Sequence, residues 1–182
     1  MAATASPVTP SGTPLPDFKL RDVADGTVYT KGSFAGCAGI QVAFICRHCP
    51  YVVHMRDEFA RIATEFEGKG IRTVGICSND AVAYPDDAPD KLREMRLPFP
   101  VLHDETQDAA RAFGAVCTPD LFLYDASGRL FYRGRMDDSS PGNGRPVTGS
   151  ELRSAIEKLL SGSPAPCDQR ASIGCSIKWK KS

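Results

Sequence analysis

Two apolar runs separated by one amphipathic segment set the strongest limit on how this chain folds. Ile40-Gln41-Val42-Ala43-Phe44-Ile45 and Ile71-Arg72-Thr73-Val74-Gly75-Ile76-Cys77 read as buried strands. Between them Val52, Val53, Met55, Phe59, Ile62, Ala63 and Phe66 fall on one stripe of a helix, which Gly68-Lys69-Gly70 brings to its stop. Strand, helix and strand in that order give parallel pairing in a right-handed βαβ unit. The first strand-to-helix junction carries Cys46-Arg47-His48-Cys49-Pro50-Tyr51, with Pro50 suited to a first helical turn.

Two cysteines at that junction point to redox chemistry. The free N–H groups and positive end of a helix N-terminus lower a thiol's pKa, and the thiolate is the reactive form. Cys46 is expected to be the more exposed nucleophile, and Cys49, one turn deeper, the resolving thiol. Arg47 is permanently cationic and His48 can be charged, so both are expected to favour the Cys46 thiolate. Two other readings stay open. Half of a zinc site would need further ligands, for which Cys167 and Cys175 or His48 and His54 are candidates. The pair could also be inert packing.

The 182 residues are enough for one domain with a full core, and the 22 basic and 22 acidic residues cancel. That balance suggests neither nucleic acid nor an anionic membrane as partner. No apolar run approaches the roughly 20 residues that span a bilayer. The Ala-, Thr-, Ser- and Pro-rich residues 1–16 lack the pattern of a secretory signal and read as a flexible leader. Seven cysteines without such a signal fit catalytic or buried thiols in a reducing compartment, and a cytoplasmic location is expected.

Around the βαβ unit, Phe18-Lys19-Leu20 and Thr27-Val28-Tyr29 flank Asp25-Gly26 as an N-terminal hairpin. Ser78 to Asp90 is an acidic loop in which Asp87 is expected to cap a short helix over 92–97. Val101-Leu102 is a brief strand, and His103 is read as its end residue. Asp120–Tyr124 and Leu130–Gly134 form a hairpin about Ala126-Ser127-Gly128. Residues 135–148 are a long loop, and Glu151–Leu160 is a last helix. The domain is taken as residues 17–160, with 161–182 a tail that packs back through Ile173, Ile177 and Trp179.

This order of elements resembles the thioredoxin-like superfamily, an α/β fold with a central mixed sheet flanked by helices. The Cys46/Cys49 pair and Thr118-Pro119 carry the likeness. Within the superfamily the chain is similar to the peroxiredoxin-like, AhpC/TSA-related group. Cys46–Val52, Ser78-Asn79-Asp80, Tyr84–Asp87, Thr118-Pro119-Asp120, Pro141–Gly144 and Ser172–Lys180 match its phrases. The resemblance implies a cis Pro119, with Thr118 and Pro119 holding a substrate backbone. It places Cys117 on the rim near Cys46, so Cys117 and Cys175 are candidates for accessory redox roles. Peroxiredoxins set their peroxidatic cysteine where Cys49 stands, with Thr where this chain has Cys46. The missing hydroxyl disfavours peroxidase activity.

The expected function is therefore thiol–disulfide exchange with a disulfide-containing protein or small thiol, an unspecified electron donor, no cofactor and no resident metal. A thiol-dependent peroxidase and a non-catalytic metal-binding or docking module are the alternatives.

Overall fold

The computed structural model describes residues 3–181. The expected βαβ unit lies at its centre: β4 (Gly39–Phe44), α1 (Pro50–Glu67) and β5 (Ile71–Cys77), with the strands parallel from Gly39 opposite Ile71 to Phe44 opposite Ile76. Flanking it are the hairpin β2 (Lys19–Asp22) and β3 (Val28–Thr30), the strand β6 (Val101–His103), and the hairpin β8 (Asp120–Asp125) and β9 (Leu130–Gly134). Together they form one mixed sheet in the order β3-β2-β6-β5-β4-β8-β9.

Alternation along β4 divides the core. Ile40, Val42 and Phe44 face a cluster with Phe113, Phe122 and Tyr124, under α3 (Asp108–Phe113). Ala43 and Ile45 face the other side, where α1 and α4 (Ser150–Leu160) bury Phe59, Ile62, Leu152 and Ile156. Both faces of β4 are covered, which is why its sequence is apolar throughout rather than alternating.

Two expectations are corrected here. The short helix α2 is Pro89–Arg93, earlier than 92–97, because Pro89 takes a first-turn position. Asp87 does not cap it. The residue preceding α2 is Ala88, and Asp87 is wholly buried elsewhere.

The leader is not loose either. β1 (Ala3–Ala5) pairs with β10 (Ile173–Ser176), Gly12 N–H donates to Leu130 O at 2.8 Å, and Leu15 is buried. Its polar composition concealed backbone pairing, which needs no apolar side chains. Residues 1, 2 and 182 lie outside the described residues.

The other edge of β10 pairs with β7 (Cys117–Thr118), completing a small antiparallel sheet β1-β10-β7. Ile177 is buried just past β10, whereas Ile173 is exposed and Trp179 is partly covered by the Arg111 guanidinium, 5.0 Å above its ring.

A buried ion pair fixes the start of β8. Arg133 Nη2 lies 2.7 Å from Asp120 Oδ2 and 2.8 Å from Gly114 O, with the guanidinium 4.4 Å over the Phe122 ring. Both side chains are almost fully enclosed.

Candidate active site

α1 begins at Pro50, so Cys49 is the residue that caps it, and Cys46 lies in the loop before. The helix N-terminus therefore acts chiefly on Cys49, the reverse of the expected assignment. Neither cysteine is exposed. The Cys49 thiol donates to Thr118 O at 3.0 Å, and Cys46 Sγ lies 3.3 Å from Thr118 Oγ1. The Thr118–Pro119 bond is cis, as the resemblance implied.

The acidities of the two thiols separate. Cys49 is held below the usual thiol range, first by a hydrogen bond from the Cys46 side chain, then by N–H groups of Cys175 and Val52 and the Cys175 side chain. Cys46 is pushed up because its proton is shared with Cys49, because it is buried, and because Asp87 lies nearby. The pair thus gives up one proton readily, from Cys49, and keeps the second. Ionising Cys49 forfeits its bond to Thr118 O; the remaining donors compensate.

Arg47 and His48 do not act on the thiols as expected. The Arg47 guanidinium points to Asp86 at 3.6 Å and Glu94 at 3.1 Å, and neither Arg47 nor His48 is among the leading causes of the Cys46 and Cys49 pKa shifts. Acidic partners on the loop and just past the end of α2 capture the charge that was to serve Cys46.

Sequence reasoning missed the role of Asp87. Its Oδ1 accepts the Arg47 N–H at 2.8 Å and its Oδ2 accepts the Asn79 amide at 2.7 Å. His48 Nδ1 sits 2.7 Å from the same Oδ2 without a hydrogen-bond alignment, and its ring stacks on Tyr84 at 5.8 Å. Asp87 thereby fixes the loop between the cysteines. Two consecutive acids, Asp86 and Asp87, followed by Pro89 and Asp90 looked like helix-start chemistry; only the tertiary position of Asn79 reveals the carboxylate as an internal acceptor.

Among the described residues, Cys46, His48 and Asp87 form the group whose donor atoms, within 4.8 Å of one another, could hold a metal. Asp87 already accepts two hydrogen bonds there, and Cys46 is the thiol that keeps its proton. His54 is elsewhere, bonded to Ser139 Oγ at 2.7 Å, and Cys167 is exposed.

The remaining candidates divide. Cys117 is not on a rim: it is enclosed, its thiol 3.7 Å from Pro119 O, and burial pushes it up to about 12. The short strand β7 turns its side chain inward. Cys175, by contrast, is brought to the centre, opposite Thr118 in the β10–β7 register and buried in the same core cluster as Cys46 and Cys49. The backbone edge of Thr118 expected to receive a substrate is occupied by β10. Beside it, a cleft of about 100 Å³ is bounded by Tyr51, Met55, Pro119, Met136, Ser172 and Ile173.

Residues 11–133, which hold the Cys46–Cys49 pair and the cis Pro119, match the model of the AhpC/TSA family. The chain belongs to the AhpC/TSA family. Membership supports a thiol-based redox function, of the thiol–disulfide oxidoreductase or peroxiredoxin kind, at the level of the family. No curated protein matches the chain.

Among solved structures, it is 45% identical to an uncharacterized conserved protein from Geobacillus kaustophilus, covering 100% of this chain and 98% of that one with a TM-score of 0.97. It is 41% identical to a hypothetical protein from Sinorhizobium meliloti 1021, covering 98% and 100% with a TM-score of 0.96. A thiol:disulfide interchange protein of the thioredoxin family from Chlorobium tepidum TLS is 21% identical, with 84% and 99% covered and a TM-score of 0.62. The fold is thioredoxin-like. Among the described residues, no helix is long and apolar enough to cross a membrane.

Proposed function

We propose that this protein is a thiol–disulfide oxidoreductase in which Cys49 is the nucleophile and Cys46 resolves the mixed disulfide. The observation that carries this is the placement of Cys49 at the start of α1, where the helix N-terminus favours its thiolate, with Cys46 three residues earlier and both thiols against Thr118; the opposite directions of the two thiols' pKa shifts agree with it. The Cys49 thiolate attacks a substrate disulfide, forming a Cys49–S–S–R bond and releasing the other half as thiolate. Once Cys49 is uncharged, Cys46 no longer shares its proton. It gives that proton to the leaving thiolate and attacks Cys49 Sγ. A second thiol leaves, the Cys46–Cys49 disulfide forms, and two electrons have passed to substrate. A dithiol donor must then restore the pair.

The test is turnover of a small aromatic disulfide with dithiothreitol as donor. Cys49→Ser is expected to abolish turnover, and Cys46→Ser to preserve the first attack. Turnover retained by Cys49→Ser would defeat the assignment.

Family membership favours a second reading, in which the Cys49 thiolate attacks a peroxide O–O bond, becomes sulfenic acid and releases an alcohol or water. Cys46 stands where a hydroxyl would assist, so this reaction should be the slower one. Hydrogen peroxide consumption with the same donor, faster than disulfide turnover, would move the assignment to peroxidase.

A further inference from the structure

Beyond the Cys46–Cys49 pair, we propose that Cys175 is a third redox thiol of this centre. It exchanges with Cys49 to form a Cys49–Cys175 disulfide, and β10 serves as an internal substrate strand. The inference rests on the reading of Cys49 as nucleophile.

An exposed strand edge beside a nucleophile is where an extended substrate adds by backbone pairing. Here β10 occupies that edge of β7, with Cys175 opposite Thr118 and Ser176 opposite Cys117. Thr118 is also the residue whose carbonyl receives the Cys49 thiol. The register therefore brings Cys175 beside Thr118, the residue that contacts both active-site thiols, and Cys46, Cys49 and Cys175 lie in one buried cluster; Cys49 and Cys175 are each among the causes of the other's pKa shift.

The approach depends on Gly174. A Cβ there would overlap the Thr118 carbonyl oxygen and stand 2.5 Å from its carbon. Any other residue would hold the strand, and Cys175 with it, away from the centre.

β10 is anchored on both sides of the cysteine. Before it, Ser172 exchanges hydrogen bonds with Ser6 and donates to Gly134 O at 2.8 Å. After it, Ile177 N–H donates to Val116 O, and Lys178 N–H to Asn79 Oδ1 at 2.8 Å. Asn79 is the same residue that donates to Asp87, so the tail and the loop between the cysteines share one holding point.

The electrostatics suit an exchange. Burial raises the Cys175 thiol, but the next two causes are its hydrogen bond to Cys49 and the Cys49 charge. Both vanish once Cys49 is in a disulfide, so Cys175 becomes a better nucleophile when attack is required. A Cys49–S–S–R bond plus Cys175–SH gives the Cys49–Cys175 bond and RSH. Starting instead from Cys46–Cys49, the same attack frees Cys46 as a thiol, with no net change in electrons. While β10 is docked no extended peptide can pair with Thr118, which points to small disulfides as the substrate class.

The decisive experiment uses the full chain carrying Cys46→Ser, reduced and then treated with oxidised glutathione at low protein concentration. Free thiols are alkylated and the disulfides mapped by peptide mass spectrometry. The expected result is an intramolecular Cys49–Cys175 bond, with glutathione leaving Cys49 at least roughly tenfold faster than from Cys46→Ser/Cys175→Ser, because a neighbouring thiol has a high effective concentration. Stable glutathione on Cys49 with Cys175 free would overturn the role of Cys175 while leaving Cys49 as nucleophile. No modification of Cys49 in any variant would overturn the nucleophile assignment and the relay together.

Discussion

Gly174→Ala isolates the contribution of the docked tail. The added methyl meets backbone atoms of Thr118, where Cβ atoms essentially never come within 3.0 Å, so no side-chain rotation can relieve the overlap. The strand must leave β7. That exposes Ile177, whose burial contributes about 1.5–3 kcal/mol, and breaks several backbone hydrogen bonds worth about 1 kcal/mol each. Chain entropy regained by the released segment offsets part of this, at about 1–2 kcal/mol per residue. A net loss of about 1 kcal/mol or more is expected, or a fall of at least roughly 2–4 °C in melting temperature for a chain of this size. Calorimetry on the reduced protein measures that loss. Alkylation with a maleimide, followed residue by residue, measures whether Cys175 becomes accessible and Cys49 less acidic as it loses the Cys175 N–H. Unchanged melting and a protected Cys175 would refute the argument that the strand is held by close backbone approach.

The remaining predictions concern the loop, the thiols and the buried ion pair. Asp87→Ala orphans the Arg47 N–H and the Asn79 amide, and should cost about 2–5 kcal/mol in unfolding free energy by denaturant titration. Disulfide turnover should also fall as the loop between the cysteines loosens. Cys49, being depressed, stabilises the reduced protein fully above the unfolded thiol pKa, and that stabilisation is lost as pH falls through the folded value. The stability difference between reduced wild type and Cys49→Ser should accordingly grow by up to about 1.4 kcal/mol per pH unit toward pH ~9; a flat difference would contradict the depressed pKa. Arg133→Met leaves Asp120 buried without its partner and should destabilise by about 3–5 kcal/mol at neutral pH. The deficit should shrink on acidification through about 6, where burial sets the Asp120 carboxyl already in the wild type.

Periodicity and length made the sheet readable, because β4, α1, β5 and the β8–β9 hairpin each satisfy a local pattern that tertiary packing reinforces. The thiol roles were harder to read. Pro50 marked the helix start, but the assignment of the nucleophile turned on whether the N-terminal field falls on the residue before Pro50 or on one three positions earlier. Only the folded loop fixes that. Asp87 was misread because an acidic residue near a short helix has an ordinary local explanation, and its internal partner comes from the end of β5. Cys175 was named as a candidate, yet nothing local to Ile173-Gly174-Cys175-Ser176 announces a strand. The signal available was a glycine beside a cysteine in an otherwise polar tail. The leader was misjudged for a related reason: β1 is held by its backbone, and composition does not report backbone partners.

The small sheet β1-β10-β7 also has a consequence for the order in which the protein becomes competent during synthesis. β1 is made first, β7 late and β10 last, yet β10 lies between the other two. The large sheet and most of both cores come from earlier residues, with Cys175 and Ile177 the late additions, so the nascent chain can collapse with its Cys46–Cys49 pair already inside. Until β10 is made, the Thr118 edge stays open and Cys49 lacks the N–H of Cys175. An unfinished chain would thus present a less acidic Cys49 beside an unprotected strand edge. Completion of β10 closes that edge and tunes the thiol in one event.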